Sequence, residues 1–505
     1  MNIYTLDIIS LSSAIVAAFV AVQLSYFRLL AFSKKKKLYD RFDMVRPGNQ
    51  PTPILGGVVV FFGIIMGLFA GCVVSSVTGL FPIFHLLPVL TAMVVMLYIG
   101  VMDDMEGLSP SFRLFVEIIT LLGLIYASGS CIDTFQGLWG VESFSWWLAV
   151  PLTVFAGVGI INGVNMIDGI NGLSSTLCLL CSLFFGFIFV RGGDIANAIL
   201  AFTVAAALLP FMFHNIFGFR SRMFIGDAGT MVMGITLTWY VISLLRSNTP
   251  YIYFGSANGV NMIAFALAVL CLPVFDTLRV MAMRIFRGVS PFQRDSNHLH
   301  HTFVKVGFSH FVTTLCEVCL MIFVVITWVV AVLLFDAGKD SQLYVVILAS
   351  AFFVWGSYAL LRYHSKHHTE LLHRLTEVSI QSHLGRKKWW KRLEAFLDAP
   401  VDKYIAKYEE KELVVQQDIA SASTPVDPDN TKEIDRQKVL NFMRGRAEVM
   451  VHDIMKNSGA NSLHVYPILF EEVQKGRIRI VRNGYLGAPE IVTTMNEYFP
   501  KNTES

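Results

Sequence analysis

Short runs of carboxylates, amides and imidazoles interrupt this otherwise apolar chain, and their spacing suggests chemistry. The run Gly100–Pro110 carries adjacent Asp103 and Asp104. Neighbouring carboxylates repel unless a cation or proton intervenes. They suit a divalent metal, a metal-bridged phosphate or general-base work. A helix-end cap is the plain alternative, but an acid near a helix C-terminus opposes the macrodipole. In the run Asn162–Leu173, Asn162, Asn165 and Asp168 stand three apart, so a helix would bring them to one face, and Asn171 follows. Amides with a carboxylate can read a base edge and ligate Mg²⁺. Gly169 and Gly172 allow a tight turn and close approach of a ligand to the backbone. In Arg220–Thr230, Asp227 reads as a helix N-terminal cap that could also ligate metal. A fourth group gathers Asp276, Arg284, Arg287, Asp295, His298, His300 and His301. Cations beside imidazoles suit a pyrophosphate. A zinc site built from the histidines would lack any Cys or HExxH context.

The elements that must position these groups are membrane spans. Of the 505 residues 54% are hydrophobic and 15% charged, with a mean hydropathy of +0.57. Soluble domains carry about 25% charged residues. An ordinary cytosolic enzyme, a disordered regulator and a secreted disulfide scaffold are thereby excluded, and a net charge of +3 is too small to argue for nucleic acid. The average hides two parts. Met1–Arg362 holds 19 Lys/Arg and 17 Asp/Glu, whereas the shorter Tyr363–Ser505 holds 21 and 20. A transmembrane domain over 1–362 is expected, followed by a cytoplasmic, partly interfacial helical segment over 363–420, a linker over 421–433 and a small soluble α/β module over 434–505. Spanning takes about 20 apolar residues. Eleven segments qualify: 5–32, 54–77, 84–102, 111–129, 146–163, 173–191, 195–217, 229–246, 259–282, 311–335 and 342–361. With the N-terminus outside, the inner loops collect Lys34 to Lys37, Arg41, Arg46, Arg113, Arg220, Arg222, Arg284, Arg287, Arg294 and Lys305. The outer loops collect only Arg191, Arg246 and Lys339. This bias sets the orientation N-out and C-in, which brings every polar run to the cytoplasmic side.

Ionisable groups at membrane edges are costly and mark function. Here they describe a cytoplasm-facing site for a divalent metal and a phosphorylated, nucleotide-linked substrate. A multi-span transporter of a nucleotide or lipid-linked sugar is the alternative. It would place polar groups near the midplane, often within an internal repeat, and no repeat is visible. In the tail, Arg386-Lys387-Lys388-Trp389-Trp390-Lys391-Arg392 fits either a membrane interface or a solvated helix. Residues 434–457 show helical periodicity, and Gly476–Ile480 alternates like a strand.

Five blocks in order carry a resemblance: Pro53–Gly57, Gly100–Asp104, Asn162–Leu173, Phe224–Gly229, and Ser290-Pro291-Phe292 followed by His298–His301. Over roughly residues 1–310 the chain resembles the polyprenyl-phosphate N-acetylhexosamine-1-phosphate transferases (glycosyltransferase family 4), in its WecA-like branch. The resemblance implies transfer of N-acetylglucosamine 1-phosphate from UDP-N-acetylglucosamine to undecaprenyl phosphate. UMP is released, Mg²⁺ or Mn²⁺ assists, and a lipid-linked envelope glycan such as the O-antigen of lipopolysaccharide is begun at the bacterial inner membrane. It implies an acidic pair at Asp103 and Asp104, a metal-ligand Asp227 joined by Asn165, and Asp168 and Asn171 near the nucleotide. Arg284 falls near the pyrophosphate, and His298, His300 and His301 near the phosphates. Asn171 departs from the Asp common at its position and suits contact to uracil rather than acid–base work. A basic residue often precedes the Gly-Gly block closely; Asn49 and Gln50 stand there instead, with Arg46 as the substitute. A homodimer is compatible with these features. The tail, outside the resemblance, is expected to bind another envelope-synthesis protein.

Overall fold

The computed structural model describes residues 3–39, 52–76, 85–246, 259–289, 297–335, 337–367, 370, 374, 387–422, 428–444, 446, 448–483 and 489–494. The chain forms two compact units, Met1–Tyr408 and Glu409–Ser505.

The first unit is all helical. Its long helices are α1 (Ile3–Lys35), α2 (Gly56–Ser76), α3 (Leu87–Glu106), α4 (Pro110–Ser128), α5 (Trp146–Met166), α6 (Leu173–Arg191), α7 (Ile195–Phe217) and α8 (Gly226–Leu244). A broken segment follows, α9 (Met262–Val269) and α10 (Thr277–Phe286) with a π turn over Leu272–Asp276, bent by 74°. Then come the short α11 (Leu299–Val306), α12 (His310–Leu333), and α13 (Lys339–Ser350) running through a second π turn, Ala351–Trp355, into α14 (Gly356–His367). Helix α15 (Lys388–Ala422) belongs to this unit as far as Tyr408.

Among the described residues nine helices are long and apolar enough to cross a membrane, or ten if the bent pair counts as one span. The protein is therefore a polytopic membrane protein. The eleven expected segments exceed this number, and the difference is instructive. The ninth, expected as one run over 259–282, is broken, because Pro273 cannot donate a backbone hydrogen bond inside the helix. The eighth corresponds to α8, buried from Ala228 to Leu244 without interruption. A helix screened from lipid on all sides need not be apolar enough to span alone, and α8 carries Asp227, Thr230, Thr236 and Thr238.

Glycines bring α8 into backbone contact with its neighbours. A Cβ on Gly57 would strike the backbone of Gly229, with Ala228 C at 2.8 Å, and one on Gly100 would stand 2.6 Å from Ala228 N. The Gly56 and Gly57 N–H groups donate to the carbonyls of Phe224 (2.9 Å) and Ile225 (2.8 Å), and Phe224 N–H donates back to Pro53 C=O (2.8 Å). The Pro53–Gly57 block is thus bonded to the Phe224–Gly229 block.

The second unit contains α16 (Pro428–Met443), β1 (Val449–Met450), α17 (Val451–Asn457), α18 (Ser462–Gln474), β2 (Ile478–Asn483) and β3 (Pro489–Thr494). The sheet is antiparallel, in the order β1-β3-β2. Val439, Ile454, Ile468, Leu469 and Val492 fill its core. The helix expected over 434–457 is divided: α16 stops at Met443 before Gly445, a poor helix former, and Val449 and Met450 pair with β3 instead. In the expected linker 421–433, α15 reaches Ala422 and α16 begins at Pro428.

Candidate active site

The polar runs meet at one end of the first unit, where α3, α5, α7 and α10 finish and α4, α6, α8 and α12 begin. Asp103 and Asp104 close α3. Asp103 Oδ1 accepts from Leu108 N–H (2.6 Å) and Oδ2 from Arg113 Nη1 (3.2 Å). Asp104 reaches across to α8: Oδ1 accepts from Asp227 N–H (2.8 Å) and Oδ2 from Ala228 N–H (3.1 Å). A helix N-terminus leaves such donors unpaired and favours negative charge. The expected cap is therefore reassigned. Asp227 does not cap α8; the N-cap position, Ile225, offers no side-chain bond, and Asp104 caps the helix from another span.

Asp227 is thereby left to turn its side chain elsewhere. Its Oδ1 accepts from Asn165 Nδ2, and the same amide donates to Thr230 Oγ1 (2.9 Å). Arg113 joins the two halves. Its Nη2 donates to Asn162 Oδ1 (3.1 Å) and Asn165 Oδ1 (3.0 Å), while Nε stands 3.4 Å from Glu117 Oε1. Asn162 Nδ2 donates to Glu117 Oε2 (2.6 Å), and Glu117 is fully buried. Asn162 and Asn165 share a face of α5, as their spacing predicts. Asp168 lies just past the helix and accepts from Ser174 Oγ (2.5 Å) at the start of α6. Asp227 and Asp168 both lie close enough to Asp104 to repel its carboxylate.

Arg113 and Glu117 were not among the expected site residues; Arg113 served only as an orientation signal. The sequence does contain a clue: Glu117 is the one acid inside the apolar run 111–129, and it follows Arg113 by four positions.

The histidines pack beside this centre. His298 Nδ1 lies 2.9 Å from Asp276 Oδ2, and Leu299 N–H donates to the same oxygen (3.2 Å). Asp276 Oδ1 accepts from Arg279 Nη2 (2.6 Å), and Arg279 stacks on Tyr358 with its guanidinium carbon 3.7 Å from the ring centroid. His300 is buried against Gly169, where a Cβ would stand 2.8 Å from His300 Cδ2 and 3.0 Å from His301 Cε1. Burial, reinforced by the His301 ring, holds the His300 imidazole well below its ordinary range. The Asn171 backbone is held by α12, its carbonyl accepting from Thr314 Oγ1 (3.3 Å). Arg284 is buried at the end of α10. Arg46, Ser290–Phe292 and Asp295 lie outside the described residues.

The oxygen donors of Asp104, Asp168, Asp227 and Asn165 are of the hard kind that Mg²⁺ takes. Among the described residues no three of His, Cys, Asp and Glu are grouped to hold an ion unaided. Mg²⁺ commonly binds through one or two carboxylates with phosphates and water completing the shell. The donor set therefore fits a metal that arrives with a phosphorylated substrate.

Residues 86–245 match the model of glycosyl transferase family 4. The undecaprenyl-phosphate alpha-N-acetylglucosaminyl 1-phosphate transferase of Escherichia coli strain K12 is 26% identical over 313 residues, 60% of this chain and 79% of that protein. Its namesake from Yersinia pestis is 25% identical over 307 residues, 60% of this chain and 80% of that protein. The probable undecaprenyl-phosphate N-acetylglucosaminyl 1-phosphate transferase of Bacillus subtilis strain 168 is 26% identical over 271 residues, 52% of this chain and 70% of that protein. The chain therefore resembles the WecA-like transferases, as its five motif blocks indicate, and its residues 86–245 are similar to glycosyl transferase family 4.

Proposed function

We propose that the protein transfers N-acetylglucosamine 1-phosphate from UDP-N-acetylglucosamine to undecaprenyl phosphate, releasing UMP and beginning a lipid-linked envelope glycan. The observation that carries this reading is the acid–amide network at one end of the bundle, Asp103–Arg113–Asn165–Asp227, closed by Asp104 on the N-terminus of α8. A site at the membrane surface serves a reaction whose acceptor lies in the bilayer and whose donor is water-soluble. The basic residues at the span ends support a cytoplasmic position for that surface, and we take the membrane to be the bacterial inner membrane. Counting the enclosed α8 and the broken α9–α10 segment as spans makes eleven, with N-out and C-in.

Two anions must approach for the reaction, and Mg²⁺, when bound, lowers their repulsion and polarises the phosphate that is attacked. Asp227, oriented by Asn165, is the residue we assign to hold it. Asp104 acts by fixing the N-terminus of α8, and with it the position of Asp227. Asp168 and Asn171 face the nucleotide, with Asn171 suited to contact uracil by its amide. Arg284 and the imidazoles of His298, His300 and His301 bind the pyrophosphate oxygens. In-line alignment of the acceptor phosphate supplies much of the remaining rate.

Purified full-length protein given UDP-N-acetylglucosamine and undecaprenyl phosphate should form UMP and lipid-linked sugar, and EDTA should stop it. Sugar flux across vesicles without UMP release would overturn this reading in favour of a transporter. Asp227→Ala should abolish turnover while the protein still inserts; retained activity would remove Asp227 from the metal role.

A further inference from the structure

Helix α15, up to Tyr408, sorts its residues by type around its axis. At 3.6 residues per turn, steps of three and four stay on one side. Trp390, Leu397, Val401 and Tyr404 form one side and pack on the bundle. Trp390 meets Phe217 (ring centroids 4.8 Å) and Phe311 (5.4 Å), Tyr404 stacks on Phe27 (5.7 Å), and Leu397 and Val401 are buried. Glu394, Asp398 and Asp402 form an acidic stripe, of which the last two clasp the segment after α7. Asp398 accepts from the N–H groups of Phe219 (3.3 Å), Arg220 (2.9 Å) and Ser221 (2.9 Å), and Asp402 takes the Arg220 guanidinium through both oxygens (2.8 and 2.5 Å). The third stripe runs Trp389, Leu393, Phe396, Pro400, Lys403, with Arg392 beside it and Lys388 and Lys391 near its start. Trp389 is 49% and Phe396 73% exposed.

The course of the helix fixes what this third stripe meets. From Trp390 to Tyr404 it advances about 21 Å. Over that length it touches the last residue of α7, the second residue of α12 and the C-terminal part of α1. Tyr26 beside Phe27 donates to Ser221 C=O (2.7 Å), so the α1 contact lies at the same level as the end of α7. Helix α15 therefore crosses the ends of several spans instead of running beside one. Exposed aromatic rings flanked by cations, at the level where spans end, match the headgroup layer of a bilayer. Two acids of the same helix, Asp398 and Asp402, are engaged by the segment after α7, which leaves the Trp389–Lys403 stripe basic and apolar.

We propose that the Trp389–Lys403 stripe of α15 binds the anionic headgroup layer of the membrane that the spans cross, with acidic phospholipid as its ligand. Trp389 and Phe396 enter the acyl boundary, and Lys388, Arg392 and Lys403 pair with lipid phosphates. The experiment places the full chain in nanodiscs of phosphatidylcholine with or without phosphatidylglycerol, using lipid brominated near the headgroup. Tryptophan quenching is compared with that of Trp389→Phe, and competition between spin-labelled phosphatidylglycerol and phosphatidylcholine reads preference. The fluorescence component lost in Trp389→Phe should be quenched, and Phe396→Trp in that background should restore a quenched component. At low salt each of Lys388→Gln, Arg392→Gln and Lys403→Gln should lower the phosphatidylglycerol preference about fivefold. An unquenched component in both tryptophan tests, as expected if a soluble protein covered the stripe, would overturn the proposal. So would an unchanged lipid preference in the triple variant. Neither readout needs turnover, so failure of the transferase reading leaves this test intact.

Discussion

Replacing Arg113 by Gln removes the one group that binds Asp103, Asn162, Asn165 and Glu117 together. Arg113 is 13% exposed in its side chain, Asp103 3% and Glu117 not at all. The substitution leaves Glu117, some two turns inside α4, with only Asn162 as a hydrogen-bond donor among the described residues. Breaking a buried pair on one side costs about 3–5 kcal/mol, and the slight exposure of Arg113 places this case near the lower figure. Most of that loss comes from the stranded carboxylate, so it can be separated from lost packing. Adding Glu117→Gln removes the charge while keeping a carbonyl oxygen for Asn162 Nδ2. The double variant should recover about 2 kcal/mol of the loss in denaturant unfolding of the detergent-solubilised protein. The coupling between the two sites should then lie well above the roughly 0.5 kcal/mol within which independent sites add. Additive behaviour would refute the reasoning, because Glu117 would then not depend on Arg113. Turnover in the double variant should stay low even where stability returns, since Asn165, which positions Asp227, has lost its donor.

Three further outcomes follow from the same geometry. Asp104→Ala should lose about 1–2 kcal/mol of stability by uncapping α8, visible in thermal melts, whereas Asp227→Ala should melt close to the parent. Gly57→Ala and Gly100→Ala should each cost about 1–3 kcal/mol, because the added methyl meets the backbone of α8, which cannot swing aside; melting temperature and turnover should fall together. The buried His300 is held neutral in the folded protein, while the unfolded chain takes up its proton near pH 6.5. The unfolded state thus binds more protons below that pH, so stability should fall on acidification through the window between the two values. His300→Gln should flatten that part of a melting-temperature profile against pH.

Much of this site was legible because a membrane makes polar residues conspicuous. Asp103, Asp104, Asn162, Asn165, Asp168 and Asp227 stood out by type against an apolar background, and the structure brings them to one end of the bundle. What the sequence did not disclose was pairing. Nothing in Asp104 says that its partner is the N-terminus of a helix 123 positions later. Arg113 was read as an orientation charge because a basic residue at a span end has that general use; its role emerges only when Asn162 and Asn165 approach from another helix. The break in the ninth segment was signalled by Pro273, but a hydropathy window averages over a single proline. That Asp398 and Asp402 of α15 engage the segment after α7 while the Trp389–Lys403 stripe lies apart from them needed the helix axis to be seen, since its charges alternate closely along the chain.

The contacts of Gly57 and Gly100 with α8 have a consequence for how such a site can change over time. Where main chains touch, there is no side chain to exchange for a larger, smaller or differently charged one. The floor that carries Asp227 is therefore nearly closed to side-chain variation, and change in the site is left to the polar groups around it.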